Sequence, residues 1–217
     1  VPTLVLIAGP NGSGKSTLAA HPVIASLART PEDAAPPLHI NADQIRQTLR
    51  DGEAGDELDL RAARLADEHF AQAIKSGRSV IRETVLSTTR LLPMIEDAKA
   101  RGFRIVLLFV FLRDPALNVA RVAQRAQLGG HDVPEDKVRS RWIGAMQKLE
   151  AFAPLADVLM VFDNSARASR QAPRSGPLLL IERTPLSLYI APQARILAAN
   201  ARTPAPLRRM LDGLISA

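Results

Sequence analysis

The chain has 217 residues and no cysteine, which excludes disulfide frameworks, thiolate metal sites and cysteine nucleophiles. Hydrophobic residues at 47% and charged residues at 23% describe a globular chain able to bury a core, while aromatic residues at 4% are too few for the stacking platforms of single-strand binders. The 28 basic and 22 acidic side chains leave a formal charge of +6, which suits anionic ligands without naming one.

His21, His39, His69 and His131 are scattered and show no metal-ligand spacing. No apolar run reaches membrane-spanning length, and no basic-then-apolar segment opens the chain. The expectation is a soluble cytoplasmic protein with no membrane partner.

In chain order, Thr3–Ala8 is a uniform apolar run stopped by Gly9-Pro10, the pattern of a strand buried on both faces of a parallel sheet. Ser16 to about Leu27 predicts a helix, residues 30–37 a loop, and Leu38–Ile40 a short strand. Asn41-Ala42-Asp43 leads into a helix from about Gln44, and a longer helix spans about Glu57 to Lys75, ended by Gly77. Ser79–Arg82 predicts a strand, Leu91–Arg101 a helix closed by Gly102, and Arg104–Leu112 the strongest strand of the chain. Helices follow at about 115–127 and 134–150, then a strand at Val158–Phe162. Ala166–Pro177, rich in Arg, Ser and Pro, predicts an exposed loop. Leu178–Glu182 and Leu186–Ile190 flank Arg183-Thr184-Pro185 as an edge hairpin, and a helix from about Ala205 to Ile215 follows. Strands alternating with helices predict an α/β fold with a mainly parallel sheet.

Gly9-Pro10-Asn11-Gly12-Ser13-Gly14-Lys15-Ser16-Thr17 fits G-x-x-x-x-G-K-[ST] at every fixed position, between a predicted strand and a predicted helix. Glycines let the backbone curl so that successive N–H groups face phosphate oxygens, and the following helix start adds its positive dipole end. In such a loop Lys15 reaches the β- and γ-phosphates of ATP, and the Ser16 hydroxyl ligates Mg2+. No Asn-Lys-x-Asp motif for guanine is present. The candidate strands end in Arg82-Glu83, Arg113-Asp114 and Asp163-Asn164 rather than the Asp-Glu of a motor ATPase. The expected fold is a P-loop NTPase three-layer sandwich with a helical lid and a C-terminal edge hairpin. It forms one domain over residues 1–217, with the lid at about 115–145 and the hairpin and helix at about 175–217.

A kinase also needs a base for the acceptor hydroxyl and cations for the transferred group. Asp43 just past the second strand and Glu83 at the end of the third should both reach the phosphate loop, because ligand groups gather at the carboxyl ends of strands. The plain alternatives are that Asp43 is the N-cap of its helix and Glu83 a structural partner of Arg82 or Arg46. Arg121 and Arg125 lie four apart, Gly129-Gly130 follows, and Lys137, Arg139 and Arg141 come after Pro134. Two arginine-bearing helices joined by Gly-Gly suit a mobile phosphate-clamping lid, with a solvated basic surface as the plain alternative. The residues leave open a kinase of a sugar, nucleotide or antibiotic-like acceptor, a nucleotide-binding switch, and a nucleic-acid-linked ATPase. Concentration of basic residues at 113–141, where a lid belongs, argues against nucleic acid as the partner.

The ordered set of Gly9–Thr17, Ile40-Asn41-Ala42-Asp43 with Ile45-Arg46, Arg82-Glu83-Thr84, Gly130-His131 with Val133-Pro134, and Val161-Phe162-Asp163-Asn164-Ser165 resembles the zeta toxin family of P-loop kinases, over about residues 3–165. The resemblance implies transfer of a phosphoryl group from ATP, with Mg2+, to a sugar hydroxyl of a nucleotide sugar, UDP-N-acetylglucosamine. It also implies a small antitoxin protein as a partner. On that pattern Asp43 is the base and Lys15 the phosphate-loop lysine. Arg46, Asp67, Glu83 and Thr84 lie on the acceptor side. Arg125 and Arg141, with Arg121 and Arg139, supply the lid cations. Larger members have Glu-Gly-Thr followed by arginine where this chain has Glu83-Thr84-Val85-Leu86-Ser87.

Overall fold

A computed structural model of the chain describes residues 1–29, 35–49, 55–130, 132–166 and 176–216. Residues 30–34 of the expected 30–37 loop, His131 of the lid, and residues 167–175 of the Arg-, Ser- and Pro-rich loop lie outside the described residues.

The all-apolar run Thr3–Ala8 becomes β1, buried along its whole length at the centre of the sheet. It pairs in parallel with β3 (Val80–Thr84) on one side and β4 (Arg104–Phe111) on the other. β2 (Leu38–Ile40) lies outside β3, and β5 (Val158–Asp163) outside β4, both parallel. β6 (Leu178–Arg183) and β7 (Leu188–Ile190) add antiparallel, giving the order β2-β3-β1-β4-β5-β6-β7. The α/β fold, the mainly parallel sheet and the edge hairpin all match the sequence expectation.

Alternation along the strands sends side chains to two faces, and both are covered. Leu4, Leu6 and Ala8 of β1, with Leu107, Phe109 and Phe111 of β4, face the larger core. That core is closed by α4 (Asp56–Lys75), α5 (Leu92–Ala100), α7 (Glu135–Phe152), α8 (Pro192–Ala199) and α9 (Ala205–Ser216). Val5, Ile7, Val106 and Leu108 face the smaller one, packed by α1 (Lys15–Ala19) and α2 (Pro22–Ala28). A third small cluster, Val122, Val133 and Val138, binds α6 (Pro115–Gln127) to α7. Among the described residues, no helix is long and apolar enough to cross a membrane.

Three local expectations change. The single helix expected over Ser16–Leu27 is two, because Pro22 has no N–H to continue the ladder and His21 caps a new start, its Nδ1 accepting from Val23 N at 3.3 Å. The helix expected from Gln44 begins earlier, as α3 (Ala42–Thr48), because Asn41 is its cap. α8 has no counterpart in the sequence reading; Pro192 at its first turn opens it.

Since β1 to β5 run parallel, the residues that follow them meet along one rim of the sheet, and this rim carries the site. Trp142 anchors α7 beneath that rim: it is buried and its Nε1–H donates to the Leu112 carbonyl at 2.9 Å. Trp142→Phe keeps most of the apolar body and leaves that carbonyl unsatisfied, so it is expected to cost about 1–3 kcal/mol. Urea unfolding followed by circular dichroism measures this, Trp142 being the chain's one tryptophan.

Candidate active site

The phosphate loop runs from the end of β1 into α1 and depends on glycine for two separate reasons. At Gly9 (φ +140°) a Cβ would stand 2.0 Å from the Val110 carbonyl of β4, so no larger residue fits against the sheet. At Gly14 (φ +102°) a Cβ would lie 2.3 Å from Asn164 Nδ2, whose donation to the Ser13 carbonyl at 2.8 Å holds the loop's far side. Lys15 Nζ donates to the Gly9 and Pro10 carbonyls at 2.8 and 2.9 Å, curled within its own loop. Burial lowers its pKa from 10.5 to about 8; the carboxylates of Glu83 and Asp43 oppose this and the guanidiniums of Arg125 and Arg141 add to it.

Glu83, at the end of β3, collects the neighbouring elements. Its Oε2 accepts from Ser16 Oγ at 2.7 Å; its Oε1 accepts from Asn41 Nδ2 at 2.7 Å and meets His39 Nε2 at 3.0 Å. Burial works against ionising this carboxyl, but the hydrogen bonds from His39, Ser16 and Asn41 outweigh it and hold its pKa below the usual carboxylate value. A hydroxyl and an ionised carboxylate converging beside the phosphate-loop lysine are two hard oxygen donors, so the residues present fit Mg2+. Neither Arg82 nor Arg46 pairs with Glu83, which corrects the structural alternative for this residue. Arg82, its strand neighbour, points to the opposite face and pairs with Asp67 at 2.7 Å, and Arg46 pairs with Asp59 at 2.5 Å.

Loop, α3 and lid helices enclose a cavity of about 780 Å3. Asp43 lines it from the first turn of α3, where the helix dipole favours a carboxylate. The N-cap is Asn41, whose Oδ1 accepts from Asp43 N at 2.8 Å and Gln44 N at 3.4 Å, so the alternative of Asp43 as the cap is overturned. Arg125 reaches across from α6 to place Nη1 3.4 Å from Asp43 Oδ2. Lysine, hydroxyl, carboxylate and lid guanidinium thus face one space.

The family model described as Zeta toxin matches residues 1–171. The chain belongs to the zeta toxin family of P-loop kinases. A protein of Haemophilus influenzae is 30% identical over 138 residues, covering 64% of this chain and 91% of that one. The AvrRxo1-ORF1:-ORF2 complex solved with ATP superposes with a TM-score of 0.64 at 16% identity, over 97% of this chain and 76% of that one. The PezAT chromosomal toxin-antitoxin system of Streptococcus pneumoniae gives 0.54 at 15% identity, over 75% and 68%.

Within this zeta toxin fold, the structure brings together most of the residues singled out from sequence. Arg121 lines the cavity while its Nη2 donates to the Asn164 carbonyl at 2.9 Å, and Arg141 lines it with Nη1 3.4 Å from Asn11 Oδ1. Thr17, Arg46 and Thr84 line it as well. Of the phosphate loop, Gly9, Pro10 and Ser13 stand back from the cavity surface; outside the loop, two expected residues do not arrive. Arg139 pairs with Glu135 one turn back at 2.7 Å and turns away, since the 3.6-residue repeat puts it on another face of α7 from Arg141. Asp67 stands behind the wall because Arg82 and Arg90 take its two oxygens, at 2.7 and 3.0 Å.

Sequence reasoning missed the roles of His39, Asn41, Arg90, Asn118 and Asn164. Asn41 and Asn164 belong to motifs already quoted, and their position just past strand ends was the available signal. Asn118 shows no such signal: it is fully buried in α6 and donates to the Asn11 carbonyl at 2.6 Å.

The depressed Lys15 pKa has a consequence for stability. Its folded value lies below the unfolded one, so between about pH 8 and 10.5 the unfolded chain holds more protons and stability rises with pH. Urea midpoints of the nucleotide-free protein should rise over that window through this group, and Lys15→Met should remove that contribution.

Proposed function

We propose that this chain transfers the γ-phosphoryl group of ATP to a hydroxyl of a small molecule, with UDP-N-acetylglucosamine as the acceptor its family resemblance favours. The observation that carries the reading is that Lys15, Asp43 and Arg125 line one cavity, with Arg125 Nη1 3.4 Å from Asp43 Oδ2.

Asp43 accepts the proton of the acceptor hydroxyl as its oxygen bonds to the γ-phosphorus. The bond from that phosphorus to the β–γ bridging oxygen breaks, and ADP leaves. Lys15 exchanges its loop carbonyls for β- and γ-phosphate oxygens, whose negative charge favours its protonated form. Arg125 and Arg141 neutralise charge that grows on the transferred group. Ser16 and Glu83 would hold Mg2+, which when bound supplies further charge neutralisation on the phosphates. α6 and α7 act as the lid, closing over nucleotide and excluding water.

Charge supports an anionic acceptor. Among the described lining residues, Lys15 and six arginines face three carboxylates, Asp43, Asp59 and Glu83; with Asp67, which pairs with Arg82 and Arg90 behind the wall, a positive excess of about three remains. Magnesium-bound ATP brings only about two negative charges to that excess, so a phosphorylated acceptor completes the balance.

One observation favours a second reading, a different sugar, nucleotide or antibiotic-like acceptor. Thr84-Val85-Leu86-Ser87 forms part of the cavity wall, and Leu86 holds φ +59° with its side chain buried. Larger members of the family have Glu-Gly-Thr here, so this wall is built differently. A small antitoxin protein as a partner belongs to the same proposal, supported by family membership.

Labelled ATP incubated with a panel of nucleotide sugars, sugars and nucleosides tests the reading, with Asp43→Asn as control. Label should move to one acceptor class, and Asp43→Asn should lower kcat by about 100-fold or more while ATP affinity holds within about threefold. Equal turnover would remove Asp43 as the base.

The lid gives a separate test. Arg125→Ala should lower kcat by about 1,000-fold, and Arg125→Lys, which keeps the charge but loses the planar fork, should fall between it and the wild type. Single-turnover quench-flow measures both, and unchanged rates would return Arg125 to the surface.

A further inference from the structure

We propose that Asn41 is a positioning residue that locks the acceptor base to the magnesium side of the site, so that one side-chain amide sets the distance between them. The inference rests on the kinase reading and assigns a role to a residue at the cavity wall whose side-chain amide is engaged within the protein.

Parallel pairing of β2 with β3 places Ile40 opposite Arg82, which brings the next residues, Asn41 and Glu83, side by side. Asn41 is buried there, and both ends of its amide are used. Oδ1 accepts from the backbone N–H of Asp43 at 2.8 Å and of Gln44 at 3.4 Å. Nδ2 donates to Glu83 Oε1 at 2.7 Å, and Glu83 Oε2 in turn accepts from Ser16 Oγ at 2.7 Å. The amide can take only this orientation, since a flip would set NH2 against two N–H donors and a carbonyl against a carboxylate. An unbroken chain of hydrogen bonds therefore runs from the main chain of Asp43 to the Ser16 hydroxyl.

The residue type separates this role from plain capping. Ser, Thr, Asp and Asn all cap helices well. Of these, Asn alone carries its acceptor and its donor on separate atoms, so that one end meets the helix start and the other reaches the carboxylate. Aspartate here would cap α3 while facing Glu83 with a second negative charge, and serine would cap it while falling short of Glu83.

Asn41→Ser and Asn41→Asp, compared with wild type, test the proposal. Both variants keep a capping oxygen but give up the donor to Glu83, so melting temperatures should fall by about 3–12 °C while both chains stay folded at the assay temperature. With an acceptor identified, kcat should fall about 10- to 100-fold in both, and the acceptor KM should move less than about threefold. A readout free of turnover is the affinity for a fluorescent ATP analogue in Mg2+ and in EDTA. The variants should bind like wild type in EDTA and lose most of the affinity that Mg2+ adds. Wild-type kcat in both variants, with the full Mg2+ gain, would overturn the proposal. So would a fall in activity matched by the folded fraction lost, since that is the signature of a cap alone. If wild type phosphorylates no acceptor, the kinase reading falls while the binding arm still decides the role of Asn41.

Discussion

A carboxylate buried at the end of a strand ionises only if donors replace the water it has lost. Glu83 receives three, from Ser16 of α1, His39 of β2 and Asn41 ahead of α3. Each comes from a different element, so the ionised state of one side chain requires that all of them stand in register. The phosphate-loop hydroxyl, the outer strand β2 and the helix that carries Asp43 are tied to β3 through one group.

The other side of the loop is held by amides. Asn164 donates to the Ser13 carbonyl and Asn118 to that of Asn11, while Arg141 reaches the Asn11 side chain. α6 and α7 therefore both grip the loop at Asn11, and the Val122, Val133 and Val138 cluster binds the two helices to each other. Arg125 stands at the far end of this pair, beside Asp43. Gly130, second of the Gly-Gly pair that joins the two helices, has a packing role. A Cβ on Gly130 would lie 2.7 Å from Arg125 Cγ, so its absence leaves room for the arginine's stem.

The sheet and the phosphate loop were legible in the sequence because local constraints determine them. A run buried on both faces must be uniformly apolar, and Gly9 and Gly14 occupy backbone that a side chain cannot share. That Asp43 and Glu83 would line the cavity was legible from position, since one follows β2 and the other lies at the end of β3. The two failures differ in cause. Asp67 is withdrawn by Arg82 and Arg90, which are distant in sequence, whereas Arg139 is withdrawn by Glu135 one turn back, an i,i+4 pairing on its own helix. Asn41 and Asp43 were confused as caps because both are good capping residues. Only the backbone of α3, starting at Ala42, separates the cap from the residue it presents.

The central claim is that the phosphate loop and Asp43 work on one phosphoryl group and deliver it to a hydroxyl. Following ATP by 31P NMR in the presence of Mg2+ and UDP-N-acetylglucosamine, or the acceptor chosen by screening, reports where the γ-phosphorus goes. The account predicts a phosphomonoester resonance growing in step with ADP, with no inorganic phosphate. Inorganic phosphate as the sole new product, across every acceptor tried, would contradict it.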